Sequence, residues 1–162
     1  MTDHLTYTNR LLHHPPYIQL LRDIDALEAQ RIYCRHNLPH FLAVARIAAR
    51  LNVTHSLGYD EDALYLAALL HDVGRAHPDC IPHREESARL AAELLSAIDY
   101  PAKERAMVIS AIQDHHYRGK DRPRTFAELL SLADNLSRDC YLCPARDDCY
   151  WPETRKNHRL LF

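Results

Sequence analysis

The sequence predicts an all-α domain. It contains no run of alternating β-branched residues, and it has three glycines in 162 residues. Its apolar residues recur at three- and four-residue spacing between recognisable helix caps. At 47% apolar the chain can bury a core of its own. Two parts are expected: a helical domain over 1–139 and a cysteine-rich tail over 140–162 packed on it.

The elements follow in order. "PPYIQLLRDIDALEAQR" starts after two prolines and keeps helical period. A second helix is predicted from about His36 to Leu51, with Pro39 near its start. Gly58 precedes a third helix over Asp60–His71, for which Asp60 serves as N-cap. Gly74 suits a C-terminal stop. A fourth helix runs from about His83 to Ile98. A fifth begins after Asp99 and Pro101 and reaches His116. "YRGKDRPR" reads as a loop. Thr125 and Glu128 form a capping box that opens a sixth helix to about Cys140. The tail carries three cysteines and the only tryptophan. Its Pro144 and Pro152 argue against a continuing helix.

Charge and composition narrow the classes of function. A net charge of −2 argues against a general polyanion binder. Aromatic and basic residues do not interleave as they do on single-strand nucleic-acid platforms, so no nucleic-acid polymer is expected as partner. No apolar run approaches a membrane span, and "MTDHLTYTNR" has no apolar h-region, so a cytoplasmic protein without membrane partner is expected. There the five cysteines, Cys34, Cys80, Cys140, Cys143 and Cys149, stay reduced.

Twelve histidines stand out. Leu64, Ala67, Ala68 and His71 form one helical stripe, and Asp72 adjoins it. His40, Val44 and Ala48 form another. Val108, Ile112 and His116 form a third, with His115 adjacent, and Phe126, Leu130 and Asp134 form a fourth. Each stripe is apolar except at its ionisable member. Burying a lone carboxylate costs several kcal/mol, and a metal centre where the helices converge would compensate all of them together. A single such histidine is more often a hydrogen-bonded core residue; the whole set favours the metal.

The order His40, His71-Asp72, Asp134 resembles the HD-domain superfamily of metal-dependent phosphohydrolases. The surrounding stretches "HFLAVARIAARL", "LAALLHDVGR" and "SLADNLSR" carry the likeness, over about residues 30–139. "PHREESARLAAELL" and "AIQDHHYRG" further resemble the segments of two-metal members, such as the HD-GYP cyclic-dinucleotide phosphodiesterases. The loop "YRGKDRPRT" lacks the Gly-Tyr-Pro signature of that group, which argues against cyclic di-GMP as substrate.

The resemblance implies an HD-type helical bundle with a binuclear centre between its helices. Asp72 would bridge the two metals and serve catalysis. His40, His71 and Asp134 would complete one metal, and His83, His115 and His116 the other. His36 is an extra ligand, a donor behind one, or a plain polar residue at a helix start. Imidazole-rich sites suit iron, manganese, cobalt, nickel or zinc better than calcium or magnesium.

The implied activity is hydrolysis of a phosphoester in a nucleotide or other small phosphorylated molecule. Arg75 stands where the superfamily commonly has lysine and is a phosphate-contact candidate. Arg118, Lys120 and Arg138 are further candidates, and Arg122 and Arg124 crowd the same loop as the first two. Alternatives are a di-iron oxygenase of the same superfamily and a regulatory domain that binds metal or nucleotide without turnover. In the tail, Cys140, Cys143 and Cys149 are candidate ligands for zinc, with a partner such as His158, or for an iron–sulfur cluster, with Cys80 or another group. The plain alternative is reduced thiols packed around Trp151.

Overall fold

Eight of the ten residues of the helix Glu61–Leu70 are buried, Asp62 among them. A helix that is apolar nearly all round must be enclosed by others, and the fold is built around this one. The computed structural model describes residues 4–79, 82–116 and 122–161. Among them, seven α-helices and two short 3₁₀ turns occur: α1 (Thr6–Leu12), α2 (Pro15–Leu27), α3 (Leu38–His55), α4 (Glu61–Leu70), a turn at Val73–Ala76, α5 (His83–Ala97), α6 (Ala102–Asp114), α7 (Phe126–Leu136) and a turn at Cys140–Leu142. The all-α expectation is met.

Helix α4 packs against α1, α3, α5, α6 and α7. Helix α3 also lies along α7, and α5 lies along α6 and the first 3₁₀ turn. Tyr17, Phe41, Leu64, Leu69, Leu95, Ile112 and Leu129 are the large side chains at the centre.

Local signals account for most boundaries. Asn37 caps α3 by accepting from the His40 N–H at 3.2 Å. Asp60 accepts from the Ala63 N–H at 3.0 Å, and Thr125 accepts from the Glu128 N–H at 3.2 Å. Pro15 lies inside α2, not ahead of it, because a proline in the first helical turn has no N–H to leave unsatisfied. Helix α3 runs on to His55 and stops at Ser56, which takes the left-handed conformation at φ 53°.

One helix was not expected, and three expected boundaries are corrected. Helix α1 carries too short an apolar pattern to be predicted alone; it is held from outside, where the Asp62 carboxylate accepts the N–H groups of Tyr7 and Thr8 at 2.8 and 2.7 Å. His36 precedes the Asn37 cap and is not on α3. Helix α6 ends at Asp114, so His116 leaves the stripe of Val108 and Ile112. Helix α7 ends at Leu136, short of Cys140.

The role expected of Gly74 also changes. It does not sit in the left-handed region that a helix stop uses. Instead, α5 crosses directly over it: an added Cβ would lie 2.3 Å from the His83 carbonyl oxygen and 2.6 Å from the Ser87 nitrogen.

The tail follows α7 as a series of tight turns. Asn157 donates to the backbone oxygens of Asn135 and Arg138 at 2.7 and 2.8 Å. Tyr33 donates to the Asp148 carbonyl at 3.2 Å, which joins the tail to the segment before α3. No helix among the described residues is long and apolar enough to cross a membrane.

Candidate metal centre

His71 and Asp72 follow α4 directly, so the central helix delivers them to the middle of the bundle, both buried. Helix α3 brings His40 to the same point and α7 brings Asp134. The ligand atoms of His40, His71 and Asp134 all lie within 4.8 Å of one another. His40 Nε2 stands 3.2 Å and His71 Nε2 3.8 Å from one Asp134 oxygen. Asp72 Oδ2 is 3.7 Å from His71 Nε2. Its Oδ1 is 3.4 Å from His83 Nε2. The His115 ring packs edge-on against His71, with centroids 5.3 Å apart.

The hydrogen bonds on the far side of each ring fix the tautomers. His71 Nδ1 donates to the Ala68 carbonyl at 2.7 Å, and His115 Nδ1 donates to the Ile112 carbonyl. Ser137 gives its proton to the Asp134 carbonyl at 2.7 Å, so at its contact with His40 Nδ1, 3.2 Å away, the ring is the donor. In each neutral ring Nε2 then carries a lone pair. At His40 and His71 those lone pairs face carboxylate oxygens, acceptor against acceptor. His40 Nε2, His71 Nε2 and Asp72 Oδ1 are buried without a hydrogen-bond partner among the described residues. A cation at this point would satisfy all of them, and the donor set fits one.

Electrostatics agree for His40 and His115. Burial pulls His40 and His115 down to about 4, so both are neutral near pH 7. His71 is buried too, but Asp72 and Asp134 beside it push its value up. Burial opposes ionisation of Asp72, yet His71, Arg75 and His36 hold its carboxyl well below the usual range. Burial likewise opposes ionisation of Asp134, and Arg138, His40 and His71 overcome it.

Not every candidate joins this cluster. His116 is exposed at the rim, because α6 has ended before it. His36 does join. It is buried, with Nε2 3.5 Å from Asp72 Oδ2. Glu28 holds it from both sides, accepting its ring Nδ1–H at 2.6 Å and its backbone N–H at 2.7 Å. No sequence periodicity marks Glu28, which caps α2 where the chain turns back.

A cleft of about 450 Å³ opens over the cluster. Five arginines line it: Arg31, Arg75, Arg84, Arg138 and Arg155. Arg75 Nε lies 2.9 Å from Asp72 Oδ2. Arg138, expected to meet phosphate, is buried and turned back, its Nη2 2.8 Å from Asp134 Oδ1. Arg122 points elsewhere and donates to the His55 carbonyl at 2.8 Å. Arg118 and Lys120 lie outside the described residues. Sequence reading missed Arg31, Arg84 and Arg155; the last stacks on Trp151 at 4.0 Å and so brings the tail into the cleft wall.

A helical bundle whose central helix ends in a buried His-Asp pair, with a third and fourth His/Asp ligand arriving from flanking helices, defines a class of divalent-metal-binding domain. The HD domain family model matches residues 37–139, and the chain belongs to the HD domain family. It is 34% identical over 156 residues to an uncharacterized protein of Clostridium beijerinckii, covering 95% of this chain and 98% of that one. It is 27% identical over 120 residues to a ribonuclease Y of Mycoplasma mycoides, covering 74% of this chain. The match spans 26% of that longer protein. The crystal structure of a predicted HD superfamily hydrolase from an uncultured Thermotogales bacterium shares the fold: TM-score 0.61, 24% identity, 89% of this chain and 81% of that one.

Proposed function

We propose that the protein is a metal-dependent phosphohydrolase acting on a nucleotide or a comparably small phosphorylated molecule. The observation that carries this reading is the set of imidazole lone pairs converging on ionised carboxylates at the floor of an arginine-lined cleft. His40, His71 and Asp134 would hold one divalent metal, with Asp72 between it and a second. His36 shares Asp72 Oδ2 with His71, His83 stands at Oδ1, His115 packs against His71, and His116 stands at the rim. The imidazole-rich set favours a transition metal. Such ions lower the pKa of bound water and neutralise charge on a phosphoryl group.

The chain's own residues divide the remaining work. Arg138 and Ser137 orient Asp134 and His40. Glu28 orients His36. Arg75, Arg84 and Arg155 offer guanidinium groups to phosphate oxygens, for which their planar fork is suited. The cleft volume matches that of pockets for small-molecule ligands.

Glu28→Gln tests the outermost part of the set. Residues that hold a ligating histidine typically contribute about 10–100-fold in metal affinity. A fall of that size in manganese affinity is expected by titration calorimetry, with helicity unchanged. Unchanged affinity would remove His36 from the ligand set.

The activity is tested by loading the protein with manganese, iron, cobalt or zinc. Each form is then offered mononucleotides, cyclic and linear dinucleotides, bis(p-nitrophenyl) phosphate and a short RNA. Hydrolysis of small phosphoesters, abolished by chelator and restored by metal, is the expected result. Cleavage of RNA alone, the polymer for which the ribonuclease Y relatives are named, would replace the small substrate. No hydrolysis of any phosphoester by any metal form would overturn the reading.

A further inference from the structure

We propose that Cys34, Cys140, Cys143 and Cys149 form a second, separate metal site held by four thiolates. The four cysteines line one small cavity of about 20 Å³ together with Tyr33 and Trp151. All four are free thiols. Three come from the tail, and the fourth comes from the segment ahead of α3, over a hundred residues earlier.

The local backbone has the form such a site requires. Cys140 opens a 3₁₀ turn, and Cys143 donates its N–H back to the Cys140 carbonyl at 3.4 Å. This C-x₂-C turn is the spacing common in thiolate metal sites. Two more turns follow, Arg146 N–H to Cys143 carbonyl at 3.2 Å and Cys149 N–H to Arg146 carbonyl at 3.3 Å, and they return the chain to the cavity. Little regular structure holds the tail otherwise, which is where small metal sites contribute folding free energy outright. Arg146 and Lys156 also line the cavity, and their charged heads pair with Glu153 at 3.3 and 2.7 Å.

Of the partners considered from sequence, only His158 lies among the described residues. His158 is exposed, and both its ring nitrogens contact other groups, the Glu153 carbonyl at 2.9 Å and Arg146 at 3.2 Å. Cys80 lies outside the described residues. The position of Cys34 supplies the fourth sulfur. Among the described residues, ligand atoms gather within 4.8 Å only at His40, His71 and Asp134. The sulfurs are therefore more widely spaced. A single zinc would draw them to about 2.3 Å from itself, whereas an iron–sulfur cluster would span them. Both are tetrathiolate chemistry.

Cys34 and Cys149 also line the cleft, beside Tyr150, Trp151 and Arg155. A metal here would pin the tail as one wall of the candidate active site without touching its ligands.

The test uses the full chain purified anaerobically, as wild type, Asp72→Ala and Cys34→Ala. Zinc, iron and acid-labile sulfide are measured per chain. Metal that persists in Asp72→Ala and is lost in Cys34→Ala is the expected result. Zinc without sulfide identifies a mononuclear site, and iron with sulfide identifies a cluster. Equal metal content in wild type and Cys34→Ala overturns the proposal.

A second measurement needs no variant. Wild type stripped by chelator and reloaded with cobalt(II) should show thiolate-to-cobalt charge-transfer absorbance, which a His/Asp centre does not give. Cobalt uptake without that absorbance also overturns it.

Discussion

Replacing Asp72 with alanine is expected to abolish metal retention at the His/Asp centre, and hydrolysis with it, while leaving the helices in place. Asp72 is the carboxylate on which the site converges: His71, His36 and His83 lie 3.7, 3.5 and 3.4 Å from its oxygens, and Arg75 lies 2.9 Å away. Without it, His36 and His83 lose the group that relates them to His71. Arg75 loses its anion and is left free to swing over the site. Removing one preorganised hydrogen-bond donor to the transition state costs about 10²–10³-fold in kcat. The loss here exceeds that, because metal leaves as well. Elemental analysis of the His/Asp centre and turnover of the best substrate from the screen are the measurements. Far-ultraviolet circular dichroism should be unchanged, since Asp72 follows the end of α4 and takes no part in its ladder. Normal turnover by this variant would sink the mechanism.

Gly74→Ala is expected to destabilise the fold strongly for the addition of a single methyl group. The added methyl has no flexible neighbour to displace. The His83 oxygen at 2.3 Å and the Ser87 nitrogen at 2.6 Å are both α5 backbone. Ser87 Oγ, 2.9 Å away, is engaged as well, since it accepts the Gly74 N–H at 2.9 Å. Helix α5 must therefore shift outward as a body. Overpacking against backbone costs about 3 kcal/mol, which for a domain of this size lowers Tm by roughly 6–12 °C. The same shift moves His83, the first residue of α5, away from Asp72. Metal content should fall alongside Tm. A Tm within about 2 °C of wild type, a small fraction of that fall, would show that α5 yields more easily than its contacts imply.

The sequence alone determined most of the helices and the inner part of the site. Spacing of four residues put His40 on the face of Val44 and Ala48, and it put Asp134 on the face of Leu130. Asn37, Asp60 and Thr125 lie beside the helices they cap. These are local properties, decided by 3.6-residue periodicity and by N–H groups within reach of the next side chain. His71 and Asp72 were legible for the same reason, as the polar end of the most apolar helix.

What lies between elements was decided only by tertiary structure. Glu28 reaches His36 because α2 ends and the chain doubles back, a turn with no period to read. Gly74 is required by a crossing helix and not by its own backbone angles. His116 falls to the rim because α6 stops two residues before it. The tail is the fullest case. Its three cysteines announced a cluster, but the fourth sulfur and the wall it builds over the cleft exist only once Cys34 is brought across from the far end of the chain. Contacts of that kind depend on where whole helices pack, and no local pattern encodes them.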